Sequence, residues 1–478
     1  MAKDPTKLNF KGKKIHFVGI GGIGMSALAR YYLTSDSQIS GSDKENSGLI
    51  NNLINEGIDQ IWTPHNKTNI ERTNPDFIIY STAIAQDNEE LLWAKENEKI
   101  ILHRSDLLEI TTNQKKLIAI SGTHGKTTTS AMISELLIKN NFNPSVLLGG
   151  ILISNNNNVI VGNGDYFVTE ADESDKSFLK GNPYIGIITN IEKDNLENYP
   201  GGFEEIKQSF LEFANKSISN NGLIICSQDP IAKEVISKNF LQENPKIISY
   251  STNSNSGQNT ICGNYNKRLN FWEVYYKKEF LFSLKLKVPG EHNILNALAA
   301  TAVGCLLEIK PELIKESLEN YEGVKRRFQF LQYSQELTII DDYAHHPTEI
   351  AATIKAAQEL NPQRLVIVIQ PHQAKRLQDL WNEFKEVISQ QEDYIFITDT
   401  YIARGNPIEG ISSKALVDQI NKPKIKYLPG NINEIADFLK KFTKYGDTVL
   451  IMGAGNITNA GYKLLNSPQT LVPKTGNN

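Results

Sequence analysis

Only three cysteines occur in 478 residues, Cys226, Cys262 and Cys305, and no two of them form a C-x-x-C pair. That excludes a disulfide framework and sets the expectation of a reducing cytoplasm. Long apolar runs are also missing. The longest near-apolar stretch, Ala297 to Leu307, falls far short of the roughly 18 residues a membrane helix needs. Met1 to Lys14 carries charges but no apolar core of a signal peptide, so neither secretion nor membrane insertion is expected. Nor is there an excess of one charge. Fifty Lys+Arg against 54 Asp+Glu leave a net charge of -4, which provides no bulk field for nucleic acid or an anionic surface.

What the chain has is length, at 478 residues, and domains of about 100–200 residues make roughly three of it. Short β-branched runs, glycine-rich turns and helix-period segments alternate along most of the sequence, the pattern of parallel sheets with crossover helices. The first unit has strand candidates at Ile15–Val18, Gln38–Ser40, Phe77–Tyr80 and Lys99–Leu102, and a polar linker is expected at Thr111–Gln114. A second has them at Leu117–Ile120, Tyr166–Thr169, Ile185–Thr189 and Leu223–Cys226. Residues 244–286 read as an antiparallel meander, and a third α/β unit has strands at Leu337–Ile340, Leu365–Ile369, Tyr394–Thr398 and Thr448–Met452. The run Asn155–Asn158 reads as a polar loop tip.

Gly19, Gly21 and Gly24 form G-x-G-x-x-G between a strand and a helix, with Gly22 and Ile23 inside the motif and Asp43 after the second strand. Such glycines let backbone approach a pyrophosphate at the helix N-terminus, and an acid after strand two can hold a ribose hydroxyl. NAD is the default ligand. A nucleotide diphosphate sugar presents the same two groups, and a tight βα turn is the plain structural alternative.

A second glycine loop, Gly122-Thr123-His124-Gly125-Lys126-Thr127-Thr128, also follows a strand and opens a helix. Lys126 would offset the charge of terminal phosphates, amides from Gly122 to Lys126 would wrap them, and the Thr127 hydroxyl would ligate Mg²⁺. The ordinary phosphate loop has glycine six positions before the lysine, where this chain has Ile120, so the loop is a compact variant. Glu170, Asp172, Glu173 and Asp175 crowd the end of a neighbouring strand, and a Mg²⁺ bridging carboxylate and phosphate would relieve their repulsion. A dehydrogenase has no use for the second loop; an ATP-driven enzyme acting on a nucleotide-linked substrate needs both.

Several other residues could complete the chemistry. Lys325-Arg326-Arg327 offers cations for a transferring phosphoryl group. Asp341-Asp342-Tyr343-Ala344-His345-His346 follows a strand and offers imidazole for base work, or only loop and capping roles. His372 and Arg376 follow another strand, where Arg376 could fork onto a carboxylate. His292, Asn293 and Asn296 open a helix and could read an adenine or cap the helix.

Taken together these motifs resemble the Mur ligase family of peptidoglycan synthesis over nearly the whole chain. The resemblance rests on Gly19–Ser26, Gly122–Thr128, Glu170–Asp175, Gly290–Asn296, Arg326–Phe328, Asp342–Pro347, Gln370–His372 and Gly453–Asn456. It implies an α/β protein of three domains: a Rossmann-like N-terminal domain (1–113), a central P-loop ATPase domain with a mixed sheet (114–325) and a Rossmann-like C-terminal domain (326–478). It also implies the substrates ATP with Mg²⁺, UDP-N-acetylmuramate and an amino acid, joined through an acyl phosphate, in a monomer or weak homodimer. The glycine-rich start and the string Glu170–Asp175 favour the member that adds L-alanine over those adding the second and third residues; the runner-up is a recycling member that attaches a tripeptide.

By the same resemblance Lys126, Arg327, His345 and His346 are the expected catalytic groups, with Gly122–Thr128, His292, Asn293, Asn296 and Asp342 at ATP. Gly19, Gly21, Gly22, Ile23, Gly24, Asp43, His372 and Arg376 fall to the sugar nucleotide, and Thr127, Glu170 and Asn195 to the metal. Two departures weaken the pattern: Asn195 stands where the family has a metal-side His, and Gln373 where an Arg commonly follows Gln-Pro-His. The rival from another class is a nicotinamide-dependent oxidoreductase, which leaves Lys126-Thr127 beside the acidic cluster unexplained. A third, an ATP-hydrolysing switch, would turn over ATP regardless of amino acid.

Overall fold

The computed structural model describes residues 8–174, 176–194, 196–240, 244–252, 259–403 and 405–465. They fall into two compact units, Met1–Leu286 with Ile294–Tyr321, and Lys287–Asn293 with Glu322–Asn478.

The first unit carries two sheets. In the N-terminal one, all-parallel, Lys14–Val18 lies between Gln38–Ser42 and Phe77–Tyr80, with Ile61–Trp62 and Ile100–His103 at the edges. Ile15 to Val18 are buried without alternation, as expected of a strand covered on both faces. The chain reverses direction across the sheet between Lys14–Val18 and Phe77–Tyr80. That is the switch point outside which open α/β sheets hold ligands, and the first glycine loop occupies it.

The second sheet of this unit has ten strands. Lys116–Ser121 lies between Ile185–Ile188 and Tyr166–Glu170, with Ile120 paired to Glu170. The phosphate-type loop and the acidic strand end are therefore neighbours by register. The meander expected over 244–286 begins later: Ile247–Ser251 joins the sheet parallel to both its neighbours, and only Thr260–Asn266, Phe271–Tyr276 and Glu279–Leu284 are antiparallel. Polar turns concealed that the strand at 247 continues the buried parallel run. The expected linker also shifts, because Thr111 and Thr112 end the helix Arg104–Thr112 and are buried.

In the second unit a six-stranded sheet places Asp447–Met452 between Leu337–Asp342 and Arg364–Ile369. Tyr394–Thr398 and Ile425–Leu428 extend it in parallel, and Gln329–Gln332 adds an antiparallel edge. Asp342, Ile369 and Met452 share one register level, so the histidine loop, Gln370–His372 and Gly453–Asn456 leave the sheet along one rim. Among the described residues no helix is long and apolar enough to cross a membrane.

Candidate active site

At the first loop the backbone turns sharply because Gly19 has φ 85° and donates, with Ile20, to the Ser42 carbonyl at 2.8 and 3.0 Å. Asp43 accepts the Gly21 amide at 2.8 Å on one carboxylate oxygen and the Lys44 amide at 2.7 Å on the other. A Cβ on Gly21 would lie 2.8 Å from that carboxylate, and one on Gly24 3.1 Å from the Arg104 guanidinium. Gly22 caps the helix Ile23–Leu33 without a side-chain bond, leaving the bare N-terminus that an anion favours.

Behind this loop is a cluster that sequence reasoning missed. Glu90, fully buried, accepts from Ser42 Oγ at 2.5 Å and lies 3.5 Å from His16 and 3.8 Å from His65. Burial opposes its charge, yet the two histidines and Ser42 hold its carboxyl well below the usual range. The signal was too diffuse to find: four residues spread over 16–90 meet only through sheet register. Arg104 was missed for the same reason.

In the second loop Gly122 has φ 131° and Gly125 φ 81°. A Cβ on Gly122 would sit 2.1 Å from Thr189 Oγ1, and one on Gly125 2.8 Å from Asn296 Oδ1, so neither position tolerates a side chain. Two of the amides expected to wrap phosphate are already engaged: Thr123 N donates to the Asn190 carbonyl at 3.2 Å and His124 N to Asn190 Oδ1 at 2.8 Å. Asn190 is thus the splint of the loop. Asn296 accepts from Thr129 Oγ1 at 3.0 Å and packs against the loop from the other side.

Lys126 Nζ bonds the carbonyls of Gly122 at 2.5 Å and Thr123 at 3.2 Å, and Glu173 Oε2 at 2.7 Å. Despite burial, Glu173, Asp172 and Glu170 together push its pKa up, keeping it charged. Burial and the neighbouring Asp172 push Glu173 up to about 7, against the pull of Lys126. Glu170 accepts the Gly149 amide at 2.6 Å, and Thr127 is buried at the helix start. Among the described residues the buried Ser121 Oγ makes no hydrogen bond. A buried cation in a glycine cradle, an unsatisfied hydroxyl and hard oxygen donors from Thr127 and Glu170 fit a phosphate chain with Mg²⁺. Asn195 and Asp175 lie outside the described residues.

In the second unit the two arginines part company. Arg326, with φ 60°, donates to the carbonyls of Gly453 at 2.5 Å and Gly455 at 3.0 Å and lies 3.9 Å from the buried Asp341. Both guanidinium groups lie over the Tyr343 ring, Arg326 at 4.9 Å and Arg327 at 5.0 Å, but only Arg326 is also tied to the loop carbonyls among the described residues. Asp342 accepts the amides of Phe328 and Ala344, both at 2.7 Å, and burial pushes its pKa up to about 6 against Arg327. It holds the loop together rather than facing outward.

The paired histidines also differ. His346 caps the helix Pro347–Gln358, its Nδ1 accepting from Thr348 N at 3.3 Å. His345 Nδ1 donates to the Tyr343 carbonyl at 3.0 Å, which leaves the Nε2 lone pair as the basic one. Burial pushes its pKa down, opposed by Glu349 and assisted by Arg376 and Arg327. His345 and His372 rings meet edge to face at 5.5 Å, and Arg376 donates toward His372 Nδ1 at 3.4 Å. His372 and Arg376 thus gather with His345 in the second unit, whereas the glycine loop with which they were grouped lies in the first. His292, in the second unit, is pushed down to about 4 by burial and Arg327, and Asn293 Nδ2 donates to the Pro289 carbonyl at 2.6 Å.

Three family descriptions match in series: "Mur ligase family, catalytic domain" over 14–116, "Mur ligase middle domain" over 120–304 and "Mur ligase, glutamate ligase domain" over 326–455. The chain belongs to the Mur ligase family. It is 39% identical to a UDP-N-acetylmuramate--L-alanine ligase of Desulforamulus reducens, covering 96% of this chain and 98% of that one. A ligase of the same name from Clostridium tetani is 41% identical, over 94% and 97% of the two chains. The crystal structure of a UDP-N-acetylmuramate-alanine ligase from Thermotoga maritima superposes with a TM-score of 0.79 at 29% identity, covering 95% of this chain and 98% of that one.

Proposed function

We propose that the chain is an ATP-dependent ligase that joins L-alanine to the lactoyl carboxylate of UDP-N-acetylmuramate, a cytoplasmic step of peptidoglycan precursor synthesis. The observation that carries this reading is the presence of two phosphate-type glycine loops in one unit, each at a strand's carboxyl end, with the buried Lys126 beside the acidic strand end at the second. Full-length relatives named for this reaction support the choice of amino acid.

The domain joins are read at 113/114 and 325/326. The first domain takes the sugar nucleotide: the Gly19–Gly24 loop takes its diphosphate, and Asp43, which keeps lone pairs beyond its two amide bonds, takes its ribose. In the second, Lys126 and the loop amides that Asn190 does not take bind the phosphates of ATP, while Thr127 and Glu170 would hold Mg²⁺, which would polarise the terminal phosphate.

A lactoyl carboxylate oxygen attacks the terminal phosphorus and the bond to ADP breaks, giving an acyl phosphate. The alanine amine then attacks the acyl carbon and passes a proton to His345 Nε2. The carbon–oxygen bond to phosphate breaks, and inorganic phosphate leaves. Arg327 offsets the charge of the transferring phosphoryl group and of the oxyanion. His372 and Arg376 hold substrate anion, and His346 and Asp342 keep the loop of His345 in shape.

The test is phosphate release from Mg-ATP with UDP-N-acetylmuramate present or absent and with L-alanine, glycine, L-serine or a tripeptide as acceptor. Release is expected only with both co-substrates, and fastest with L-alanine. Release indifferent to either contradicts the reading, and a preference for tripeptide assigns the recycling reaction instead.

A further inference from the structure

Asn158 ends the run Asn155–Asn158, whose composition suggests an exposed loop tip. It is instead 1% exposed and uses both ends of its amide. Its Oδ1 accepts from Arg30 at 3.1 Å, and its Nδ2 donates to the carbonyls of Ile23 at 3.4 Å and Leu148 at 3.3 Å. The rest of the Arg30 guanidinium is fixed by Glu56, at 2.6 and 3.2 Å.

The two carbonyls it joins are not arbitrary. Ile23 is the first residue of the helix that follows the Gly19–Gly22 turn. Leu148 immediately precedes Gly149, whose amide holds the Glu170 carboxylate at 2.6 Å. One buried side chain therefore connects the turn at the first glycine loop to the segment that aims a carboxylate at the second. A buried amide with both donors and an acceptor lone pair engaged fixes geometry, because leaving its partners unpaired is costly.

Resting on the ligase reading above, we propose that Asn158 is a positioning residue that sets the sugar-nucleotide loop and Glu170 in register for the reaction. It touches neither reactant. It acts through Ile23 on the helix N-terminus that receives the diphosphate, and through Leu148 and Gly149 on the orientation of Glu170. Loss of groups that orient a metal ligand typically costs about 10- to 100-fold in metal affinity.

The discriminating variant is Asn158→Asp, nearly isosteric, which keeps an acceptor for Arg30 and loses both donations. Two dissociation constants are read: that of UDP-N-acetylmuramate by calorimetry without nucleotide, and that of Mn²⁺ for the ADP-loaded protein by electron paramagnetic resonance. Both are expected to rise about tenfold, while metal-free ADP binding stays close to wild type and the melting temperature falls by only the few degrees that two unpaired carbonyls cost. Arg30→Ala, which frees Asn158 without removing it, should raise both constants less. The proposal is overturned if either constant in Asn158→Asp equals that of wild type, or if the variant only melts earlier with both constants unchanged. Failure of the ligase reading would look different, since wild-type protein would then not bind UDP-N-acetylmuramate.

Discussion

Lys126 Nζ and Glu173 Oε2 lie 2.7 Å apart with the side chains only 16% and 10% exposed. The loop thus stores its cation against a carboxylate whose ionisation is finely balanced, since burial and Asp172 push Glu173 up to about 7. Phosphate arriving at Lys126 competes for the same charge, and a Glu173 deprived of its cation titrates higher still. Binding of ADP near pH 7 should therefore take up a proton. Calorimetry in buffers of differing ionisation enthalpy reads this directly, and Glu173→Gln should abolish the uptake while leaving ADP bound. Lys126→Ala should lower kcat/KM by about a hundred- to a thousand-fold, the scale of losing one preorganised charge contact.

Arg326 and Arg327 are adjacent in sequence and should fail in opposite ways. Arg326→Ala removes two bonds to loop carbonyls and the cation that lies 3.9 Å from buried Asp341. It should cost about 2–4 kcal/mol of stability by thermal or denaturant melts. Arg327→Ala, which makes no bond to the loop carbonyls among the described residues, should lower the melt less than Arg326→Ala and lower kcat by about a hundredfold or more. Equal effects of the two substitutions on kcat would contradict the assignment.

His345 is neutral at neutral pH because burial pushes its pKa below the ordinary 6.5. If it accepts the amine proton, the acid limb of kcat should fall below pH 6.5 and vanish in His345→Gln together with most of the rate. His346→Asn, which can still cap the helix, should keep that limb. Persistence of the limb in His345→Gln would assign the base elsewhere.

His292, pushed down from 6.5 to about 4 by burial and Arg327, links pH to stability. Its folded pKa is depressed, so the unfolded chain binds more protons between pH 6.5 and 4. Its contribution is thus fully present above 6.5 and is lost as pH falls through that window. The loss amounts to about 3 kcal/mol. Melts of His292→Gln should depend less steeply on pH between 4 and 6.5 than those of wild type.

Much of the site is legible in sequence where its geometry is local. A glycine loop between a strand and a helix needs only consecutive residues, so Gly19–Gly24 and Gly122–Thr128 declare themselves. Roles assigned by distant partners do not. Nothing local says that Arg326 turns inward to Gly453 and Gly455 while both arginines lie over Tyr343, or that His346 caps a helix while His345 keeps a basic lone pair. Asn158 is the extreme case: the composition of its run suggests solvent, and only partners distant in sequence, Arg30 128 residues earlier with the carbonyls of Ile23 and Leu148, show why it is buried. The strand Ile247–Ser251 was likewise concealed, because its parallel pairing depends on neighbours at 223–226 and 260–262.

The most direct test follows the oxygen atoms. UDP-N-acetylmuramate labelled with oxygen-18 in its lactoyl carboxylate is incubated with Mg-ATP, L-alanine and the protein, and the released phosphate is examined by mass spectrometry or phosphorus NMR. Attack of carboxylate on ATP followed by attack of amine on the acyl phosphate transfers one labelled oxygen into each phosphate released, in step with formation of the alanyl amide. Unlabelled phosphate, or phosphate formed without the amide, would contradict the account.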